Sequence, residues 1–281
     1  MTPAITLAVL VAAFCHASWN AIIRVRGDKI LSITLLITAA GLIALPGLFV
    51  VPFLPAAAWP FLLASVVIHT GYNTFLALSY AHGELSRVYP LVRGSAPLLT
   101  LGISLAILQE PVNGFGVIGI VLLASGIMAL ALERGWRALI ASPRGLIYAG
   151  ATSLCITAYT LSDGLGARAA GNAHHYVIWL FVLEALPLLA AVIILRGRDL
   201  AASVRANWGA GLIGGALSLI SYWIAIWAMT VAPIPIVAAL RETSILFAAL
   251  IAMAVLGEKL TRVRAASIVI VVCGLLLMRL G

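Results

Sequence analysis

The sequence predicts an all-α integral membrane protein of ten transmembrane helices, laid out as two inverted five-helix repeats around a central cavity. Three observations carry that prediction. Of 281 residues, 63% are hydrophobic and only 9% are charged, with a mean hydropathy of +1.16, a composition far from that of soluble domains. Arg93 and Arg241 sit inside apolar runs, although an arginine at the centre of a membrane helix costs about 2.5 to 3.5 kcal/mol even on lenient insertion scales. The surroundings of these two recur: Arg93, Leu98, Leu108, Glu110 and Gly126 are matched 148 positions later by Arg241, Leu246, Leu256, Glu258 and Gly274.

Charge clusters and Gly/Pro breaks cut ten apolar segments. They cover residues 3–23, 30–52, 59–81, 85–108 and 112–132 in the first half, then 145–163, 175–195, 208–231, 234–256 and 263–280 in the second. Each is close to the roughly 20 residues that an α-helix needs to cross the hydrocarbon core. Apolar residues surround most of them on all sides, as expected for lipid-facing helices, and none alternates as a barrel strand would. The first segment carries His16 and Asn20 and lacks a basic leader, so it is expected to be a retained helix. Repeats are expected at residues 1–140 and 141–281. With five crossings each, the second must enter the membrane the other way up. Ala44-Leu45-Pro46 recurring as Ala185-Leu186-Pro187 supports the duplication.

The net charge of +8 does not point to nucleic acid, because the basic residues are scattered singly with no basic patch. It points to topology. Odd-numbered connections hold thirteen Lys and Arg, including Arg24, Arg26, Lys29, Arg87, Arg144, Arg205 and Lys259, and the even side holds only Arg168 and Arg279. The positive-inside rule then places the odd connections in the cytoplasm and both termini outside. The three cysteines, Cys15, Cys155 and Cys273, form no C-x-x-C pair and read as core fillers, with no disulfide framework and no structural zinc.

Polar groups inside the spans are the candidate site. His16, Trp19 and Asn20 stand at i, i+3 and i+4, and His69, Tyr72 and Asn73 repeat the spacing, which puts an imidazole, an aromatic ring and an amide on one helical face. In the second half Tyr159 with Thr160 and Asp163, then Tyr222 with Trp223, offer a more aromatic version of that wall. Helix-to-helix hydrogen bonding is the plainer alternative for all of them. Arg93, with Tyr89 one turn before it, and Arg241 need either a carboxylate partner or a wet cavity with an anionic ligand. Glu242 and Glu184 are the candidate partners, though Glu242 projects about 100° around the helix from Arg241. A lone buried carboxylate gains a proton at modest cost, so Glu184 and Glu242 are also the candidate coupling groups. Asp163, near the end of its segment, reads as an interfacial cap. Pro90 and Pro97, and then Pro233 and Pro235, predict distorted or broken helices at matching places in the two halves. Gly114–Gly119 and Gly211–Gly215 predict close helix contacts.

Some motif matches fail on context. Gly114-x-Gly116-x-x-Gly119, with Glu133 beyond it, opens an apolar span with no strand before it and is no dinucleotide fingerprint. There is no P-loop, and His174-His175 lacks a third ligand nearby. No cofactor and no metal is implied.

The run from Arg93-x-x-x-Pro97 to Leu108-x-Glu110, its echo from Arg241 to Leu256-Gly257-Glu258-x-Leu260, and the five-plus-five duplication resemble the EamA type of the drug/metabolite transporter superfamily. The resemblance covers nearly the whole chain. It implies a ten-helix basket in the cytoplasmic membrane that moves small metabolites by alternating access, usually outward. Two departures stand out: Ile245 replaces the proline expected by analogy with Pro97, so the break in the ninth helix is expected earlier, at Pro233 and Pro235. Relatives are also expected to have cytoplasmic termini, against the charge count here. The paired cations and aromatic walls favour an anionic or zwitterionic organic solute. The alternatives are an integral-membrane enzyme, or a flippase, acting on a lipid head group.

Overall fold

A computed structural model of the chain describes residues 1–24, 29–82, 85–132, 142–196, 199–256 and 260–280. The helices are α1 (Pro3–Arg24), α2 (Lys29–Ala44), α3 (Trp59–His82), α4 (Leu85–Ala106) and α5 (Gly114–Ala129), then α6 (Pro143–Ala169), α7 (Ala173–Arg196), α8 (Asp199–Val231), α9 (Ile234–Glu242), α10 (Ser244–Leu256) and α11 (Arg262–Arg279). Among the described residues there is no strand. Of the helices, α1, α2, α7, α8 and the α9–α10 run are long and apolar enough to cross a membrane, and α5 is a shorter apolar helix. Glu258, the 140/141 boundary and the loop cations Arg26, Arg134, Arg137, Arg198 and Lys259 lie outside the described residues.

Local chemistry sets the ends. The side chains of Asn113, Ser142 and Thr261 accept from the amides of Gly116, Gly145 and Arg264 and so cap α5, α6 and α11, satisfying donors that a helix start leaves open. Pro46 stops α2 as a regular helix, and the chain runs on through a 3-10 turn, Leu45–Phe49.

The two halves are interleaved. Helix α3 packs along α6, α1 along α8, α2 against α7 and α8, and α5 along α11. The last contact depends on absent side chains: a Cβ on Gly119 would fall 2.7 Å from the carbonyl oxygen of Gly274, and one on Gly274 2.6 Å from that of Gly119. Gly215 is pressed in the same way against the backbone of Leu36 and Ala40. The two small-residue runs thus serve helix contact, as their sequence implied.

Connections gather at two opposite faces. At one, Arg168 at the end of α6 pairs with Glu110 beyond α4 and donates to the carbonyl oxygens of Met229 and Ala232 at the end of α8. Cations at a helix C-terminus satisfy open carbonyls and complement the helix dipole. Gln109 reaches this latch in a left-handed conformation, φ 51°, which turns the chain so that the Glu110 amide donates back to Ser104. Phe53, Trp59 and Trp179 cluster at the same end, with ring centroids 5.0 and 5.3 Å apart, in the manner of an interfacial aromatic belt. At the other face the Ser142 hydroxyl donates to the carbonyl oxygen of His82, joining α3 to α6.

Three expectations are corrected. Helix α4 is not broken: Pro90 and Pro97 lie inside a continuous helix. Helix α6 packs along it, and hydroxyls cross between the two: Ser153 donates to the carbonyl oxygen of Val92 and Thr157 to that of Ala96, at 3.3 and 3.2 Å, although the carbonyls that the prolines deprive of a donor are those of Ser86 and Arg93. The ninth span is broken, but at Thr243 and not at the prolines; Pro233 and Pro235 instead start α9, where a missing amide proton costs nothing. Of the cysteines, Cys15 is buried, Cys155 half-buried and Cys273 exposed, so only the first is a full core filler.

Candidate functional site

The site forms where α4, α6, α8 and α9 meet. Arg93 on α4 is buried and reaches across to the break between α9 and α10. Its Nε lies 2.7 Å from Oε2 of Glu242, an ion pair whose alignment falls short of a hydrogen bond, and its Nη2 donates to the Ser244 hydroxyl at 2.7 Å. The Tyr89 ring flanks the guanidinium at 5.8 Å. Arg93 is therefore occupied by protein.

Arg241 is the opposite case. It is 9% exposed, donates no hydrogen bond to any described residue and pairs with no carboxylate among them. Its only contact of note is the face of Tyr222, with Cζ 4.7 Å from the ring centroid. A buried cation without an anion is expensive. Beside it lies a space about the size of one water molecule, lined by Pro97, Thr100, Tyr159, Thr160, Arg241 and Glu242.

Tyr159 is the aromatic residue that lines this space, and other rings pack around it. His69 stacks on Tyr159 with centroids 4.0 Å apart and planes 20° from parallel. Tyr72 meets Tyr159 edge-on at 5.7 Å, and Tyr222 lies edge-on to His69 at 5.9 Å. The His69 Nδ1 is held by Ser65 one turn earlier. From α1, the His16 ring packs edge-on against Trp19 at 4.8 Å and lies within electrostatic reach of Arg93 and Arg241. The Trp19 indole N–H is buried without a hydrogen-bond partner among the described residues.

Other predicted residues are placed elsewhere or spend their polar groups locally. Asn20 and Asn73 donate their amide protons to the carbonyl oxygens of His16 and His69, so the repeated spacing produces the same local bond twice. Trp223 points to the helix ends, where its indole donates to Nδ1 of His174 at 2.6 Å. That bond accounts for His174, and among the described residues no cluster of three potential metal ligands occurs. Glu184 on α7 is partly exposed and takes neither an ion pair nor a hydrogen bond from the described residues.

Asp163 was misread. It is no interfacial cap but fully buried, six residues before the end of α6, and both carboxylate oxygens accept from tyrosines: Tyr176 of α7 on Oδ1 at 3.0 Å and Tyr222 of α8 on Oδ2. Tyr222 thus joins two charges, with its hydroxyl on Asp163 and its ring under Arg241. The available signal was the neighbouring Tyr159, Thr160 and Asp163, one polar stripe along a helix that runs six residues past its predicted end.

These features define a polytopic helical membrane protein with a buried, charged and aromatic chamber between its halves. Residues 143–280 match the model of the EamA-like transporter family, a family of membrane transporters within the drug/metabolite transporter superfamily. No curated protein matches the chain. A solved structure, described only as a protein crystal structure, superposes on 100% of this chain and 98% of its own with a TM-score of 0.79 at 15% identity, a likeness of fold alone.

Proposed function

We propose that the chain is a secondary transporter that carries a small organic anion or zwitterion across the cytoplasmic membrane by alternating access, in the export direction. The single observation that supports this most is Arg241: a buried guanidinium in direct contact with no carboxylate among the described residues, under the Tyr222 ring and beside a small space that Tyr159 also lines. The small volume of that space fits an occluded, empty state, in which rocking of the halves must open room for a solute. His16, Trp19, Tyr72, Tyr159 and His69 are the proposed walls, Arg241 the anion anchor, and Arg93 with Glu242 the brace that holds α4 to the broken helix.

The proposed architecture is two inverted repeats, residues 1–140 and 141–281. The contact pattern supports it, because exchanging the halves converts α3 on α6 into α8 on α1 and returns α2 on α7, α4 on α9 and α5 on α11 to themselves. The odd connections are proposed to be cytoplasmic. An enzyme reading has less support, since the polar cluster is central and not at the level of head groups.

The test is ligand-dependent thermal stabilisation of the purified protein across a metabolite library, repeated with Arg241→Ala. A true solute stabilises the wild type by mass action and loses that effect in the variant. Hits are then followed as flux into reconstituted vesicles. A solute that is chemically converted in detergent, with no compartments, sinks the transporter reading.

A further inference from the structure

The buried charges of the chamber balance before any solute arrives. Among the described residues the buried charged side chains are Arg93, Arg241, Glu242, Asp163 and Glu110, and Glu110 is neutralised separately by Arg168 at the outer latch. That leaves two cations and two carboxylates at the centre, joined pairwise: Arg93 to Glu242 directly, and Arg241 to Asp163 through Tyr222. A monoanion that docks on Arg241 would leave one negative charge uncompensated in a low-dielectric interior, which is costly. Something positive must enter with it.

From the geometry we propose that the solute anion and one proton bind as a unit, with Arg241 holding the anion and the Asp163 carboxylate taking the proton. This rests on the transporter reading above and adds the coupling ion and its site. In the empty state Tyr222 O–H donates to Oδ2 of Asp163 and Tyr176 O–H to Oδ1. When a proton from water bonds to Oδ2, that oxygen becomes a donor, and its O–H points at the Tyr222 oxygen. The Tyr222 hydroxyl proton must then turn away, because two donors cannot share one line. It becomes free to donate into the chamber, from the same ring that carries Arg241. Protonation therefore both cancels the extra charge and creates a donor for the anion. No covalent bond of the solute changes, and the proton leaves by the reverse path when the anion departs.

The groups around Asp163 are accounted for on each side. His69 and Ser65 of α3, Tyr159 of its own helix, Tyr176 of α7, Tyr222 of α8 and Arg241 of α9 face it or its tyrosine partners. Arg93 of α4 acts on Tyr159. His69 is the rival proton site. Glu184 is not in this ledger, since no charged group of the chamber reaches it.

The experiment uses purified full-length protein in weakly buffered detergent solution near neutral pH, with acetate, benzoate and phenylacetate as probes. Stabilisation by a probe in the wild type but not in Arg241→Ala should be accompanied by uptake of about one proton per probe bound, by linkage. Uptake should vanish in Asp163→Asn. A second measurement avoids reliance on a variant that does not fold. The chain has three aspartates, Asp28, Asp163 and Asp199, and among the described residues Asp163 is the buried one. Infrared difference spectra of the wild type should gain a protonated-carboxyl band on probe binding, and that band should shift when aspartate carries a carbon-13 side-chain label. Arg241-dependent binding with no proton uptake overturns this inference and leaves the transporter reading standing. Uptake that persists in Asp163→Asn, or a band insensitive to the label, overturns the assignment to Asp163. If none of the probes stabilises the wild type, the anion reading falls, and the coupling falls with it.

Discussion

Arg93 and Arg241 are both buried inside apolar runs, yet one is locked and the other is not. On α4, a proline-bearing helix that stays continuous and receives hydroxyls from α6 on two of its carbonyl oxygens, Arg93 extends to an ion pair and a hydroxyl. On α9 the helix stops at Thr243, whose own hydroxyl closes on Leu240 at 2.6 Å, and Arg241 is left with only a ring face. The difference teaches that a buried arginine is not in itself a binding site. Its role depends on whether the fold has already answered its charge.

Replacing Arg93 by alanine should show the largest effect, because it strands Glu242 in the interior: about 3 to 5 kcal/mol of lost stability, read as a fall in apparent Tm in detergent. Pairing it with Glu242→Leu should restore part of the loss, and an Arg93→Ala protein as stable as wild type would end the brace assignment. Arg241→Ala should cost less stability, since it breaks no direct ion pair and Asp163 keeps its two tyrosine donors. Its effect should appear in solute affinity, a loss worth about 1.5 to 3 kcal/mol, or roughly tenfold to a hundredfold in Kd. Equal damage to stability from both substitutions would erase the contrast between them.

Ser244→Ala sharpens the comparison at the next level. Losing the hydroxyl that accepts from Arg93 should destabilise by about 1 kcal/mol with solute affinity near wild type, measured by thermal unfolding and titration together. Glu110→Gln tests the outer latch, where Arg168 is about one-third exposed, and a stability change of about 1 kcal/mol or less is expected. The smallest effect should be a gain. Gln109→Gly relieves a left-handed residue that L side chains resist and should stabilise by about 0.5 to 1 kcal/mol. The corresponding residue of the second half is already Gly257.

Much of the chamber was legible because lipid makes polar residues conspicuous. The spacing of His16, Trp19 and Asn20, repeated at His69, Tyr72 and Asn73, led to amides that the structure bonds alike, while the rings part: His16 packs on Trp19, and His69 and Tyr72 pack on Tyr159. Other features were hidden. The break after Glu242 has no glycine or proline at its centre, so pattern reading moved it to Pro233 and Pro235, while α4 looked broken because proline reads as a breaker although membrane helices tolerate it once packed. Asp163 looked peripheral because the polar stripe containing it shortened the apparent span. Trp223 shared a wall in sequence but turned to His174, a partner that hydropathy does not predict.

The sequence by itself determined that the chain is helical and immersed in lipid, and that a few charged and aromatic groups must hide from hydrocarbon. Those conclusions depend on transfer costs, which each residue carries wherever it goes. Tertiary structure alone decided which charge meets which: Arg93 with Glu242, Asp163 with two tyrosines, and Arg241 with none. Pairing depends on distances between helices far apart in the chain, and at that range one apolar span looks much like another until they are packed.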